Sequence, residues 1–154
     1  MKTTLQNYRS FFLVIFLSAL IVSVPVARVN GLEYLSDEMA CVKLSGRFMQ
    51  NMVEGEIEQA FSLIEPHFPI SRQQFENLME NTKTQLQGSQ GDFGNTLGYK
   101  FVREERVKDF LVRFTFVLKH EFIFTKWRFI YYKPSEKWLL NSLNWDDQAE
   151  GLFQ

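Results

Sequence analysis

From Phe110 to Trp145 apolar and polar side chains alternate with period two, which predicts consecutive antiparallel strands. The whole stretch from Tyr99 to Asp147 is expected to form a four-stranded meander. Its central strand places Phe110, Val112, Phe114, Phe116 and Leu118 on one face, with Arg113, Thr115 and Lys119 on the other. A turn at His120-Glu121 sets Leu118 opposite Ile123, Phe116 opposite Thr125 and Phe114 opposite Trp127. It also sets Val112 opposite Phe129 and Phe110 opposite Tyr131, so one register keeps every inner position apolar or small. Pro134-Ser135-Glu136-Lys137 reads as the next turn. The strand after it admits two registers. One puts Leu140, Ser142, Asn144 and Asp146 on the aromatic face; a shift of one residue puts Leu139, Asn141, Leu143 and Trp145 there.

Upstream the period changes to that of helices. Ser36, followed by Asp37 and Glu38, reads as an N-cap, and Val42, Phe48, Met49, Met52 and Val53 follow at helical spacing. Gly55 marks a stop. Ile57, Ala60, Phe61 and Ile64 form a second apolar face that Pro66 ends. These two segments read equally as one kinked helix. Ser71 and Gln74 fit a capping box that opens a third helix carrying Phe75, Leu78, Met79 and Leu86. Gly88, Gly91, Gly94 and Gly98, mixed with Ser, Asn and Asp, read as a flexible connector, because they match no phosphate-binding glycine pattern. The fold class expected is α+β: three N-terminal helices packed on a curved, cone-like four-stranded antiparallel meander.

The N-terminus reads separately. Lys2 and Arg9 precede an uncharged, mostly apolar run from Phe11 to Ala27, and Val29 and Gly31 supply small residues before Leu32. This is the pattern of a signal peptide over residues 1–31, with residues 32–154 as a single domain. The run is also at the lower length limit for a retained membrane anchor, which would make the chain a tethered periplasmic module. No lipobox precedes Cys41. An exported protein, periplasmic or extracellular, is therefore expected. Cys41 is the only cysteine, so no intramolecular disulfide can form; its helical position favours burial over a dimer link.

Composition narrows the partners. The whole chain has 17 basic and 18 acidic residues. Removing Lys2, Arg9 and Arg28 with the leader leaves 14 basic residues against 18 acids, net −4. The basic residues are scattered, so nucleic acid is not an expected partner. Two distant histidines and one cysteine make no metal site, and no cofactor motif is present.

Two segments carry a family likeness. Val53-Glu54-Gly55-Glu56-Ile57-Glu58-Gln59-Ala60-Phe61 places an Ala-Phe step on a short helix after a glycine. Lys137-Trp138-Leu139-Leu140-Asn141-Ser142-Leu143-Asn144-Trp145 is a C-terminal strand led by Trp. With the element order, residues 36–147 resemble the nuclear-transport-factor-two-like (cystatin-like, SnoaL-like) superfamily. That resemblance implies an α+β cone with an internal cavity. It also brings isomerases that use an Asp base with Tyr and protonated-acid donors, and dehydratases that use a His–Asp pair. Neither set has matched positions here, since neither His67 nor His120 has an adjacent Asp.

The candidate residues follow. Phe114, Phe116, Trp127, Phe129 and Tyr131 are the expected lining of an apolar ligand pocket. His120 shares their parity at a strand end, and His67 lies exposed between Pro66 and Pro69. Asp146 reaches the cavity only in the first register, where flanking aromatics would raise its pKa. Arg103 and Glu105 share a parity and could enter the pocket as an ion pair. Phe122, Phe124, Ile130 and Tyr132, interrupted by Lys126 and Arg128, form an outer face suited to homodimerisation. The expected role is binding of a hydrophobic small molecule or of a protein, with no recognisable catalytic set. The rival is an isomerase- or dehydratase-type enzyme using Asp146 or His120, with Tyr131 as helper.

Overall fold

The computed structural model describes residues 31–153; of the 1–31 segment read as a leader, residues 1–30 lie outside the described residues. The helices are α1 (Glu38–Glu54), α2 (Ile57–Ile64), α3 (Arg72–Gly88) and α4 (Gln90–Phe93), with a 3-10 turn at Glu65–His67 after α2. The strands are β1 (Thr96–Val107), β2 (Leu111–His120), β3 (Phe124–Tyr132) and β4 (Leu139–Asp146). They form one antiparallel sheet in the order β1-β2-β3-β4, so the class is α+β. Among the described residues no helix is long and apolar enough to cross a membrane.

The helix boundaries follow local chemistry. Asp37, not Ser36, caps α1: its carboxylate accepts the Ala40 amide at 2.8 Å, while Ser36 donates to the same carboxylate at 2.9 Å. A carboxylate is the better cap, because its charge also meets the positive helix end. Gly55 closes α1 at φ +78°, its own and the next amide bonding to Met52 and Asn51 carbonyls, so α1 and α2 are separate helices. The Ser71–Gln74 capping box forms as expected. The glycine-rich stretch is not simply a connector. α3 runs through Gly88, the single turn of α4 follows, and Gly98 already belongs to β1. Gly94 sits at φ +73°, and a Cβ there would meet Glu121 Cβ at 2.7 Å, so backbone closeness demands glycine.

The hairpins correct the expected register. Phe110 leaves the strand and lies in the β1–β2 turn, 41% exposed. The β2–β3 turn is Glu121-Phe122, closed by the His120 amide on the Ile123 carbonyl at 3.0 Å. Each β2 residue is therefore paired two positions further along than expected. Phe116 faces Trp127, Phe114 faces Phe129 and Val112 faces Tyr131. An even shift keeps every side chain on its face, which is why the inner set survives the error.

On β4 neither expected register holds alone. Tyr131 pairs with Leu140 but Ile130 pairs with Ser142, leaving Asn141 as an extra residue. This β-bulge puts Leu140 on the inner face on one side, and Leu143 and Trp145 on the other. Asn141, which would interrupt an apolar face, is turned to solvent.

The core lies between the inner sheet face and α1. Cys41, Leu44, Phe48, Met49 and Met52 of α1 are buried against it. Phe48 is the hub, its ring 5.3 Å from Phe61, 5.3 Å from Phe129 and 5.7 Å from Trp127. Such tilted and edge-on pairs each add about 0.5–1.5 kcal/mol beyond area burial. α2 joins the same core through Ala60, Phe61 and Ile64, and Phe75 of α3 packs on Phe61 at 5.9 Å.

Candidate functional site

The five aromatics read as pocket lining all face α1, and each is at most 2% exposed. Phe114 touches Tyr131, Phe116 touches Phe129, and Trp145 stacks on Trp127 at 5.5 Å. Tyr131 is held by a chain of bonds. Its hydroxyl meets Ser45 Oγ at 2.8 Å, and Ser45 donates to the Cys41 carbonyl at 3.0 Å. Burial pushes the Tyr131 phenol far up, and it pushes the Cys41 thiol up to about 12, so neither ionises near neutrality.

Asp146 is not on this face. The Asn141 bulge turns it outward, opposite Lys126, where its carboxylate meets Lys126 Nζ at 3.2 Å and the Arg128 guanidinium. Burial raises its pKa, but the Gln148 amide, Lys126 and Arg128 together outweigh that and hold it low. The raised value expected for a cavity acid is thereby reversed. Arg103 and Glu105 are also on the outer face. Glu105 is bound there by Arg113 at 2.8 and 2.5 Å, which lowers its pKa. His67 is half-buried and its Nδ1 lies 2.8 Å from the Glu33 carbonyl.

The outer face carries a feature with no local sequence signal. After Asp146 the C-terminal residues cross the sheet. Lys126 Nζ donates to the Gln148 carbonyl at 2.8 Å and the Glu150 carbonyl at 2.9 Å, and Arg103 on β1 reaches the Gly151 carbonyl. Beneath this strap Thr115 and Lys126 are only 2% and 4% exposed. Phe122 and Tyr132 remain exposed beside it, and Phe124 and Ile130 are half-buried.

His120 stands apart from the other candidates because it borders open space. A cleft of about 370 Å³ lies between the ends of α1 and α3, α4 and the His120 end of β2. Met52, Ile57, Leu86 and Leu118 supply its apolar surface. Gln87, Gln90, Asn95 and Thr96 supply neutral polar groups. The imidazole lies with Nδ1 3.2 Å from Thr96 Oγ1 and Nε2 3.4 Å from Thr125 Oγ1. Thr125 in turn accepts Trp127 Nε1 at 2.9 Å, tying the ring to the core. The Phe93 ring of α4 tilts against it at 5.3 Å. Burial lowers the His120 pKa, so the ring is uncharged at neutral pH. Its two nitrogens face hydroxyls, and among the described residues no carboxylate bonds to it.

Two contacts hold the α4 wall in place. The Phe122 amide donates to the Phe93 carbonyl at 3.1 Å, and Glu121 and Asn95 exchange bonds of 3.0 and 2.8 Å. The β2–β3 turn and the glycine-rich segment are thus one docked unit. Phe93, an aromatic in an otherwise polar and glycine-rich stretch, was the one sequence signal for it.

A second groove, about 630 Å³, runs between Leu32, Phe68, Ile70 and Phe75, at the edge of the described residues. Among the described residues no group of three or more His, Cys, Asp or Glu is placed to hold a metal ion. Compared with protein-family models, curated proteins and solved structures, the chain matches none.

Proposed function

We propose that this chain is a small exported binding domain of the nuclear-transport-factor-two-like kind, and that it takes a small amphipathic molecule in the cleft beside His120. The observation that carries the reading is the cleft itself. Its volume of about 370 Å³ falls in the size range of small-molecule sites, and it joins an apolar floor to converging neutral polar groups. The order of helices before a four-stranded antiparallel sheet supports the family part of the reading. The hydroxyl partners on both His120 nitrogens, with no carboxylate bonded to the ring among the described residues, favour binding over acid–base catalysis.

The test is titration of the purified chain with N-phenyl-1-naphthylamine, an uncharged dye that brightens in apolar surroundings. Wild type should brighten it saturably. Leu86→Trp, which fills the cleft from the α3 side, should abolish the signal while leaving circular dichroism and melting temperature unchanged. Equal brightening by wild type and variant, or none by wild type, refutes the reading.

A further inference from the structure

The charges around the cleft say more about what it holds. Among the described residues that line it, Glu54 is the only acid, and there is no Lys or Arg. His120 adds no positive charge at neutral pH, because burial lowers its pKa. The last turns of two 17-residue helices meet here: Met52, Val53 and Glu54 from α1, and Leu86 and Gln87 from α3. A helix C-terminus carries a partial negative charge, normally complemented by a nearby basic side chain. Neither last turn contains one. Lys83, one turn earlier on α3, is committed to Glu58 on α2. α4 also borders the cleft, but it is a single turn of four residues, too short to offset two long helices.

The polar groups agree with this. Thr96 and Asn95 offer acceptor oxygens, as do the amides of Gln87 and Gln90. Glu54 accepts one bond, from Gln50 at 2.6 Å, and is an exposed residue of the cleft lining, with acceptor capacity left over. Met52, Ile57 and Leu86 give the apolar body of a ligand somewhere to lie, with the Phe93 ring beside it. An anion here would meet a carboxylate and two negative helix ends; a cation would meet all three favourably.

We infer that the ligand of this cleft is an organic amine, with its apolar body on Met52, Ile57 and Leu86 and its ammonium at the rim, between Glu54 and the C-terminal ends of α1 and α3. This rests on the cleft being a ligand site, as proposed above, and goes further by naming the charge of the occupant. Isosteric probes of opposite charge separate the two ideas. Calorimetric titration with 1-naphthylmethylamine and with 1-naphthoate at low salt should show the amine binding about tenfold tighter. Raising salt should narrow the gap, because the rim is open to solvent. Glu54→Gln should cut the preference of amine over carboxylate about threefold. Equal binding of amine and carboxylate, or tighter binding of the carboxylate, overturns this inference alone. Binding of neither probe, with no brightening of the dye, overturns this inference and the binding function together.

Discussion

Lys126 gives the sharpest test of how the C-terminal strap is held. Its side chain is 5% exposed, and its ammonium meets three oxygens: Asp146 Oδ1 at 3.2 Å, Gln148 O at 2.8 Å and Glu150 O at 2.9 Å. A hydrogen bond to a charged group contributes about 1.5–3 kcal/mol, so three would give about 4–9 kcal/mol gross. Against this stands the cost of taking the ammonium out of water, several kcal/mol in practice. The difference leaves about 2 kcal/mol that depends on the strap lying in place. Lys126→Met keeps the stem and removes the charge, and the two freed carbonyls can rehydrate only if the strap lifts. The strap's open population should then rise about thirtyfold. Hydrogen exchange reads this at the Leu152 amide, which bonds the Ala149 carbonyl at 3.1 Å inside the strap. Its protection should fall about thirtyfold while amides of β2 and β3 keep theirs. Arg128→Met is the control, since Arg128 contacts Asn144 and Asp146 but no strap carbonyl. Unchanged protection at Leu152 in Lys126→Met, or an equal loss in the central strands, would refute the reasoning.

His120 links the cleft to pH. Its folded-state pKa is lowered by burial from the ordinary histidine value of about 6.5, so the unfolded chain binds the proton more readily. Its contribution to stability is therefore full above about pH 6.5 and is lost as pH falls from there through the folded value; His120→Gln should flatten that segment of a urea-denaturation pH series, and an unchanged slope would contradict the burial. Phe48→Ala removes the ring that touches Phe61, Trp127 and Phe129 at a fully buried position. It should cost about 3–5 kcal/mol and lower the melting temperature by about 10 °C or more; a loss under about 1 kcal/mol would mean the core does not close on that ring.

Side-chain periodicity alone determined which face each residue of β2 and β3 takes. Val112, Phe114, Phe116 and Leu118 are inner residues whatever their partners, because a strand alternates faces by its own geometry. The same local chemistry determined the Gly55 stop and the Ser71 capping box, where cap and capped amide lie within a turn of each other. Pairing is a different matter. It depends on which turn closes, and the Glu121-Phe122 turn docks on Phe93 and Asn95, a segment some 30 positions away in no pattern the strands reveal. The β4 bulge belongs to the same class. A period-two reading assigns Asp146 and Leu140 to one face, and one extra residue at Asn141 sends them to opposite faces. That single residue moved the carboxylate from the cavity, where it would have been a catalytic candidate, to the outer face, where it joins Lys126 in holding the strap. His120 was legible as an inner strand-end residue. The cleft it borders was not, because α1, α3, α4 and β2 meet there only once the chain has folded. Periodicity is carried by neighbours in sequence. Register, strap and cleft are carried by contacts between distant segments, and those are decided by tertiary packing.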